Sequence, residues 1–168
     1  INKINKKDKE IIMGVWNIDD KTLFNSLINV NTNEIYNKRH LVPFGEYIPL
    51  ASSLRGLIDF FDMPMSNVAH GSSIQDNIQI SNVDGINFSP LICFDVAFGN
   101  TVRKSNISSN FIINVSNDTW FGKSMGPYQH LAITRIRAIE NNKWVIRATN
   151  DGISAIITNN GTIVDKID

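Results

Sequence analysis

The chain has a single cysteine, Cys93. That excludes an internal disulfide and any zinc site built on paired thiolates, and it leaves two roles for the sulfur: a small buried hydrophobe or a reactive thiolate. Charge of neither sign is in excess, with Lys and Arg totalling 16 and Asp and Glu totalling 16. A neutral chain has no broad field with which to hold a polyanion, so nucleic acid is not an expected partner. No apolar run approaches the ~18 residues needed to span a bilayer. The three histidines are scattered and no glycine-rich phosphate loop is present, so neither a metal centre nor a nucleotide site is expected. The first ten residues, Ile1 to Glu10, are polar, lack the apolar core of a secretory signal and do not start with methionine. The last residue, Asp168, follows directly on a strand-like run. Both ends are therefore expected to be cut, making the chain an internal piece of a longer protein.

What is present is ordinary for a globular domain: 168 residues, 42% hydrophobic and 19% charged, enough for one domain with a real core. No repeat, internal linker or second domain is visible. Ile11 to Trp16 reads as a short buried strand, and Leu23 to Val30 as another, turning at Asn31 to Glu34 into a brief return strand at Ile35-Tyr36. Residues 38–50 carry Pro43, Gly45 and Pro49 and read as loop. Leu54 to Phe61 fits a short helix, and residues 66–77 a connecting arm. Ile78 to Val83 and Ile86 to Cys93 flank Asp84-Gly85, the strongest hairpin signal in the chain. Phe94 to Lys104 predicts a helix, Phe111 to Val115 a buried strand, and Ser116 to Pro127 a long loop. Pro127 suits the first turn of a helix running to about Asn142. Trp144 to Ala148, Ile153 to Thr158 and Thr162 to Lys166 complete the strands. Strands paired by hairpins yet interrupted by helices favour a layered α/β or α+β sandwich.

Three segments can carry chemistry. Cys93 ends a strand and precedes a predicted helix, a turn that exposes a nucleophile beside the backbone N–H groups of a helix start, where an oxyanion is held and a thiol is acidified. A core cysteine that merely ends a strand is the plain alternative. Lys38 lies at a strand end, with His40 just beyond it and Glu46 in a proline-fixed loop; solvated surface charge is the ordinary meaning of such residues. Asn114 to Gly122 sets Trp120 and Phe121 in a polar loop, where they line a pocket or pack the loop.

Lys38 with His40-Leu41-Val42-Pro43-Phe44-Gly45-Glu46-Tyr47, then Ile92-Cys93-Phe94-Asp95, Ser116-Asn117-Asp118-Thr119-Trp120-Phe121-Gly122 and Gly126-Pro127-Tyr128-Gln129-His130-Leu131, resemble successive blocks of the apolipoprotein N-acyltransferase family, within the carbon–nitrogen hydrolase (nitrilase) superfamily. Arg135 to Glu140 and Arg147-Ala148-Thr149-Asn150-Asp151-Gly152 extend the resemblance, which runs in the family's order from about Gly14 to Asp168. It implies an α-β-β-α sandwich, incomplete at both ends, with residues 1–168 forming a partial domain. It implies a Glu-Lys-Cys triad in which Lys38 is the lysine and Cys93 the nucleophile. Glu46 matches a second, supporting glutamate, Phe94 an aromatic slot after the cysteine, and Trp120 an aromatic of a loop near the substrate pocket. Asp95 stands where the family commonly has glutamate, which keeps the charge and shortens the reach by about one methylene.

The implied reaction is ping-pong acyl transfer without metal or organic cofactor. A phospholipid is the acyl donor, the diacylglyceryl-cysteine of an apolipoprotein the acceptor, and a Cys93 thioester the intermediate. The implied setting is the periplasmic side of a bacterial inner membrane, reached through transmembrane helices outside these residues, in a monomer. The triad glutamate of the family lies upstream of the matching blocks, so the isolated chain is expected to be inactive. Two alternatives stand beside this reading: a soluble nitrilase-type amidase, and a non-catalytic remnant of the fold. Leu57 to Met65 has two competing readings as well, core packing or a lid that dips into lipid, to be decided by the burial of Phe60 and Phe61.

Overall fold

The computed structural model describes residues 9–47, 68–71, 78–79 and 85–168. The expected helix at Leu54 to Phe61, the Leu57 to Met65 lid, most of the connecting arm, Asp84 of the predicted hairpin and the first eight residues lie outside the described residues.

The first sheet has three antiparallel strands in the order β1-β2-β3: β1 (Ile12–Asp19), β2 (Thr22–Asn29) and β3 (Ile35–Asn37). β1 and β2 are joined at Asp20 and Lys21, whose φ angles are 47° and 67°. Two consecutive positive φ values make the tight turn whose twist matches that of the flanking strands. Asp20 tolerates the left-handed region, but Lys21 stands where glycine would complete the usual two-residue hairpin signature. β1 departs from the expected buried strand. It runs on past Trp16 to Asp19, and Trp16 and Ile18 are 61% and 72% exposed. Its polar residues Asn17 and Asp19 continue the hydrogen-bond ladder without an apolar face to announce it.

The second sheet has six strands in the order β4-β5-β6-β7-β8-β9: β4 (Ile78–Gln79), β5 (Asn87–Ile92), β6 (Phe111–Asn117), β7 (Val145–Asn150), β8 (Ser154–Ile157) and β9 (Ile163–Ile167). β5, β6 and β7 are parallel and the other pairs antiparallel. Parallel neighbours need crossovers, and helices supply them. Between β5 and β6 come a 3₁₀ turn (Cys93–Ala97) and α1 (Gly99–Ser105); between β6 and β7 comes α2 (Gly126–Asn141). The single helix expected over Phe94 to Lys104 is thus two pieces broken at Phe98, whose ψ of 84° is not helical. The expected loop from Ser116 is shorter than predicted, because β6 continues to Asn117 and a 3₁₀ turn occupies Thr119–Phe121. α2 has proline in its first turn, as expected, and stops at Asn142, which takes the left-handed conformation and donates its N–H to the carbonyls of Ala138 and Ile139.

Period-two alternation along β5 and β6 sorts their side chains onto two faces. Leu91 and Ile112 join Val96, Val102, Leu131 and Ala138 in a core beneath the helices. Phe88, Ile92 and Ile113 join Leu27, Tyr36 and Ile78 in a second core beneath the three-stranded sheet. The layers are therefore helices, mixed sheet, second sheet. β1 and β2 pack mainly over β5 and β6. On β7 and β8, Ile146 and Ile156 are 43% and 40% exposed, alternating with the buried Val145, Arg147, Ala155 and Ile157.

Candidate active site

Period two also decides which residues of β3 point inward. Tyr36 and the following Lys38 are both 1% exposed. A buried ammonium requires a partner, and Lys38 Nζ lies 2.5 Å from Glu46 Oε2. Glu46 is fixed in turn. Its Oε1 accepts from Asn25 Nδ2 of β2 at 2.7 Å, and its Oε2 accepts the backbone N–H of Val42 at 2.8 Å. The loop that carries Glu46 closes on itself through the Val42 carbonyl, which accepts the N–H of Glu46 at 2.9 Å. The two charges read from the sequence as ordinarily solvated are thus a buried, hydrogen-bonded pair.

Cys93 follows β5 directly as the first residue of the 3₁₀ turn, partly accessible, with φ at 47°. A Cβ-bearing residue is strained there, and the strain produces the sharp turn that lifts the thiol out of the sheet. Two residues on, Asp95 is fully buried. Its carboxylate accepts from the Ile92 N–H at 3.1 Å, the Tyr36 hydroxyl at 3.1 Å and the His40 N–H at 2.8 Å. The first bond closes the nucleophile turn in the manner of a capping box. The other two grip the chain on either side of Lys38. Asp95 therefore ties the Lys38 segment to the Cys93 turn, and its aspartate length reaches all three donors. Burial pushes the Asp95 carboxyl up from its ordinary value, against the pull of the two backbone N–H groups, the Lys38 charge and the Tyr36 hydroxyl. Asp95→Ala strands three donors in the interior. It is expected to cost about 2–4 kcal/mol, at ~1–3 kcal/mol per buried unsatisfied group partly relieved by relaxation, read from the urea midpoint.

Phe94 and His40 pack around this turn through Phe98. Phe94 is half-buried and meets Phe98 edge-on at 5.1 Å. Phe98 stacks on His40 at 3.8 Å, and His40 Nε2 lies 2.8 Å from Thr101 Oγ1, so the imidazole packs the loop onto α1. Burial lowers the His40 pKa, with the Asp95 carboxylate opposing. Trp120 is 72% exposed on the Thr119–Phe121 turn. Among the described residues no group of His, Cys, Asp and Glu side chains has the makings of a metal site.

A second buried network joins Arg147, Asp118 and His130. Arg147 of β7 is 2% exposed, and its Nη2 lies 2.7 Å from Asp118 Oδ2. Its Nη1 donates to Asn114 Oδ1, and its Nε donates to the Ile153 carbonyl at 3.3 Å. Asp118 Oδ1 accepts from Ser116 Oγ at 2.6 Å and lies 3.0 Å from His130 Nδ1. His130 Nε2 lies 3.2 Å from the Cys93 carbonyl oxygen. Burial pushes the Asp118 carboxyl up, but hydrogen bonds from His130 and Ser116 and the Arg147 charge outweigh it and hold the carboxyl below its ordinary value. Burial likewise lowers Arg147, while Asp118 and, more weakly, the Cys93 sulfur draw it back. The inward phase of β7, with Val145 and Arg147 on the core side, is the signal that marks Arg147 as an interior charge in need of partners.

A mixed sheet and a smaller sheet packed face to face, with a strained cysteine at a strand-to-helix turn and a buried lysine–glutamate pair whose segment is tied to that turn by Asp95, define a hydrolase-type fold of the nitrilase kind. The carbon–nitrogen hydrolase family model matches residues 4–168, and the chain belongs to that family. It is 38% identical over 160 residues to an apolipoprotein N-acyltransferase of Photobacterium profundum, an alignment covering 89% of this chain and 30% of that protein. It is 46% identical over 132 residues to one from Pseudomonas syringae pv. tomato, covering 79% of this chain and 26% of that protein. The chain thus spans about a third of the length of these curated relatives, or less. Among solved structures, a carbon-nitrogen hydrolase from Helicobacter pylori superposes with a TM-score of 0.68 at 15% identity, over 94% of this chain and 57% of that one. A glutamine-dependent NAD+ synthetase from Acinetobacter baumannii does so with a TM-score of 0.70 at 15% identity, over 96% of this chain and 29% of that one. At those identities the likeness is one of fold.

Proposed function

We propose that the chain is the nucleophile-bearing part of an apolipoprotein N-acyltransferase. One observation carries the reading: Asp95 binds the turn that presents Cys93 to the segment that presents Lys38, in a chain whose 38% and 46% identical relatives bear that name.

In this reading the Cys93 sulfur attacks the ester carbonyl of a phospholipid. The S–C bond forms, and the carbonyl electron pair moves to oxygen. The oxyanion is met by the backbone N–H of Phe94 and by the Lys38 ammonium. Collapse breaks the C–O ester bond, the lysophospholipid leaves with a proton, and a thioester remains. The α-amine of a diacylglyceryl-cysteine then attacks the thioester, giving an amide and a free thiol. Glu46 holds and aims the Lys38 side chain. Phe94 and the exposed Trp120 border the acyl site. No helix among the described residues is long and apolar enough to cross a membrane. Membrane attachment, with the domain on the periplasmic side, and the family's general base are assigned to parts of the polypeptide outside residues 1–168. The 168-residue chain alone is accordingly proposed to be inactive.

The test is a mass measurement on intact protein. The full reading frame, incubated with vesicles of phosphatidylethanolamine and phosphatidylglycerol, gains one acyl chain on Cys93 that hydroxylamine releases. A protein that stays unmodified, or is acylated elsewhere, refutes the reading. Acylation of the 168-residue chain by itself refutes its proposed inactivity.

A further inference from the structure

The mechanism leaves the His130 imidazole unused, although it is buried and directed at the nucleophile's own peptide. Its position follows from four elements. Arg147 of β7 holds Asp118 at the end of β6, Asp118 holds His130 Nδ1 on α2, and His130 Nε2 meets the carbonyl that follows β5. A carbonyl only accepts, so Nε2 carries the proton of that contact. Nδ1 then either accepts from Arg147 Nη2 at 3.2 Å or donates to Asp118 Oδ1 at 3.0 Å. Either state leaves Nε2–H on the Cys93 oxygen.

That oxygen belongs to the Cys93–Phe94 peptide. In a planar trans peptide the C=O and the N–H point to opposite sides, so drawing the oxygen towards α2 turns the Phe94 N–H the other way. A hydrogen bond at the carbonyl also polarises the N–H of the same amide. We infer that His130 is a positioning residue that aims the Phe94 N–H at the developing oxyanion, with Asp118 and Arg147 as its support. The inference rests on the proposed acyl transfer through Cys93.

Two substitutions divide the imidazole between its nitrogens. Asparagine places an amide near Nδ1 and keeps the Asp118 contact. Glutamine places one near Nε2 and keeps the contact to the Cys93 oxygen. In the full reading frame, p-nitrophenyl butyrate reports acylation: the sulfur–carbon bond forms, the ester C–O bond breaks, and p-nitrophenolate departs. Iodoacetamide reports alkylation of the same sulfur, which develops no oxyanion. For His130→Asn the expected result is an acylation rate down ~10–100-fold with KM little changed, a fraction of the ~10²–10³ attached to losing an oxyanion donor outright. Alkylation should stay within about twofold, and His130→Gln should recover most of the acylation. Equal losses in acylation and alkylation, undiminished acylation in His130→Asn, or failure of glutamine to rescue overturns the inference. Should the unsubstituted protein form no acyl-enzyme at all, the acyl-transfer reading itself has failed, an outcome distinct from these.

Discussion

Cys93→Ala in the full reading frame is expected to lower acyl transfer by about 10⁴–10⁶-fold, because a covalent route has no substitute for its nucleophile. The magnitude distinguishes this change from those around it. Losing an oxyanion donor leaves the chemical path intact and raises one barrier. Losing the sulfur removes the path. Folding should survive, since the sulfur is partly accessible and only borders the core that holds Ile92 and Ile113. The check pairs a turnover assay with the far-ultraviolet circular dichroism spectrum and thermal midpoint of the variant. Turnover that persists within tenfold would mean that the thiol is a bystander. In the 168-residue chain, where Cys93 is the one cysteine, the same substitution should abolish labelling by a maleimide at neutral pH.

The largest effect on stability is expected from Arg147→Met. Methionine fills much of the space but leaves Asp118, which is fully buried, without its cation, and Asn114 Oδ1 without its donor. Breaking one side of a buried ion pair costs about 3–5 kcal/mol, which at ~2–4 °C per kcal/mol for a chain of this size is a thermal midpoint lower by about 10 °C. The pH dependence has a definite sign. Because the Asp118 carboxyl lies below its ordinary value, its contribution to stability is present above the ordinary carboxylate range and is lost as pH falls through its lowered value. Arg147→Met removes part of what holds the pKa down, so acid unfolding should begin at a higher pH than in the unsubstituted chain. Following ellipticity from pH 7 to pH 2 in both proteins reads this directly. An unshifted acid transition would mean that Arg147 does not govern Asp118.

The expected layered fold is the one observed, and its reasons are local. β5 and β6 are apolar runs bounded by turns, and α2 has its proline start and its stop near Asn142. Where expectation failed, the sequence had no apolar phase to read. β1 continues through Asn17 and Asp19 in the hydrogen-bond ladder, and the break at Phe98 falls directly before Gly99, a residue of low helix propensity. At the site, Cys93, Lys38 and Glu46 stand out through the short contiguous blocks that carry the family resemblance, while the residues alone read Lys38 and Glu46 as solvated charge. The Asp95 clamp was not, since its donors Tyr36 and His40 are more than fifty positions away along the chain. Arg147, Asp118 and His130 were visible as parts of blocks, but no local pattern tells a buried arginine which acid it meets; that pairing is made by β6 lying beside β7.

The left-handed backbone of Cys93 sets stability and reactivity against each other at one position. Away from such angles, glycine is the weaker choice than alanine by roughly 0.5–1 kcal/mol; at a φ of 47° the preference reverses, because the Cβ itself is what the backbone resists, by ~1–2 kcal/mol. Of two inert proteins, Cys93→Gly should therefore melt higher than Cys93→Ala. The conformation that offers sulfur to a substrate is one the chain would relinquish if that residue had no chemistry to perform, and the gap between the two melting points measures the tension the fold retains in order to keep its nucleophile there.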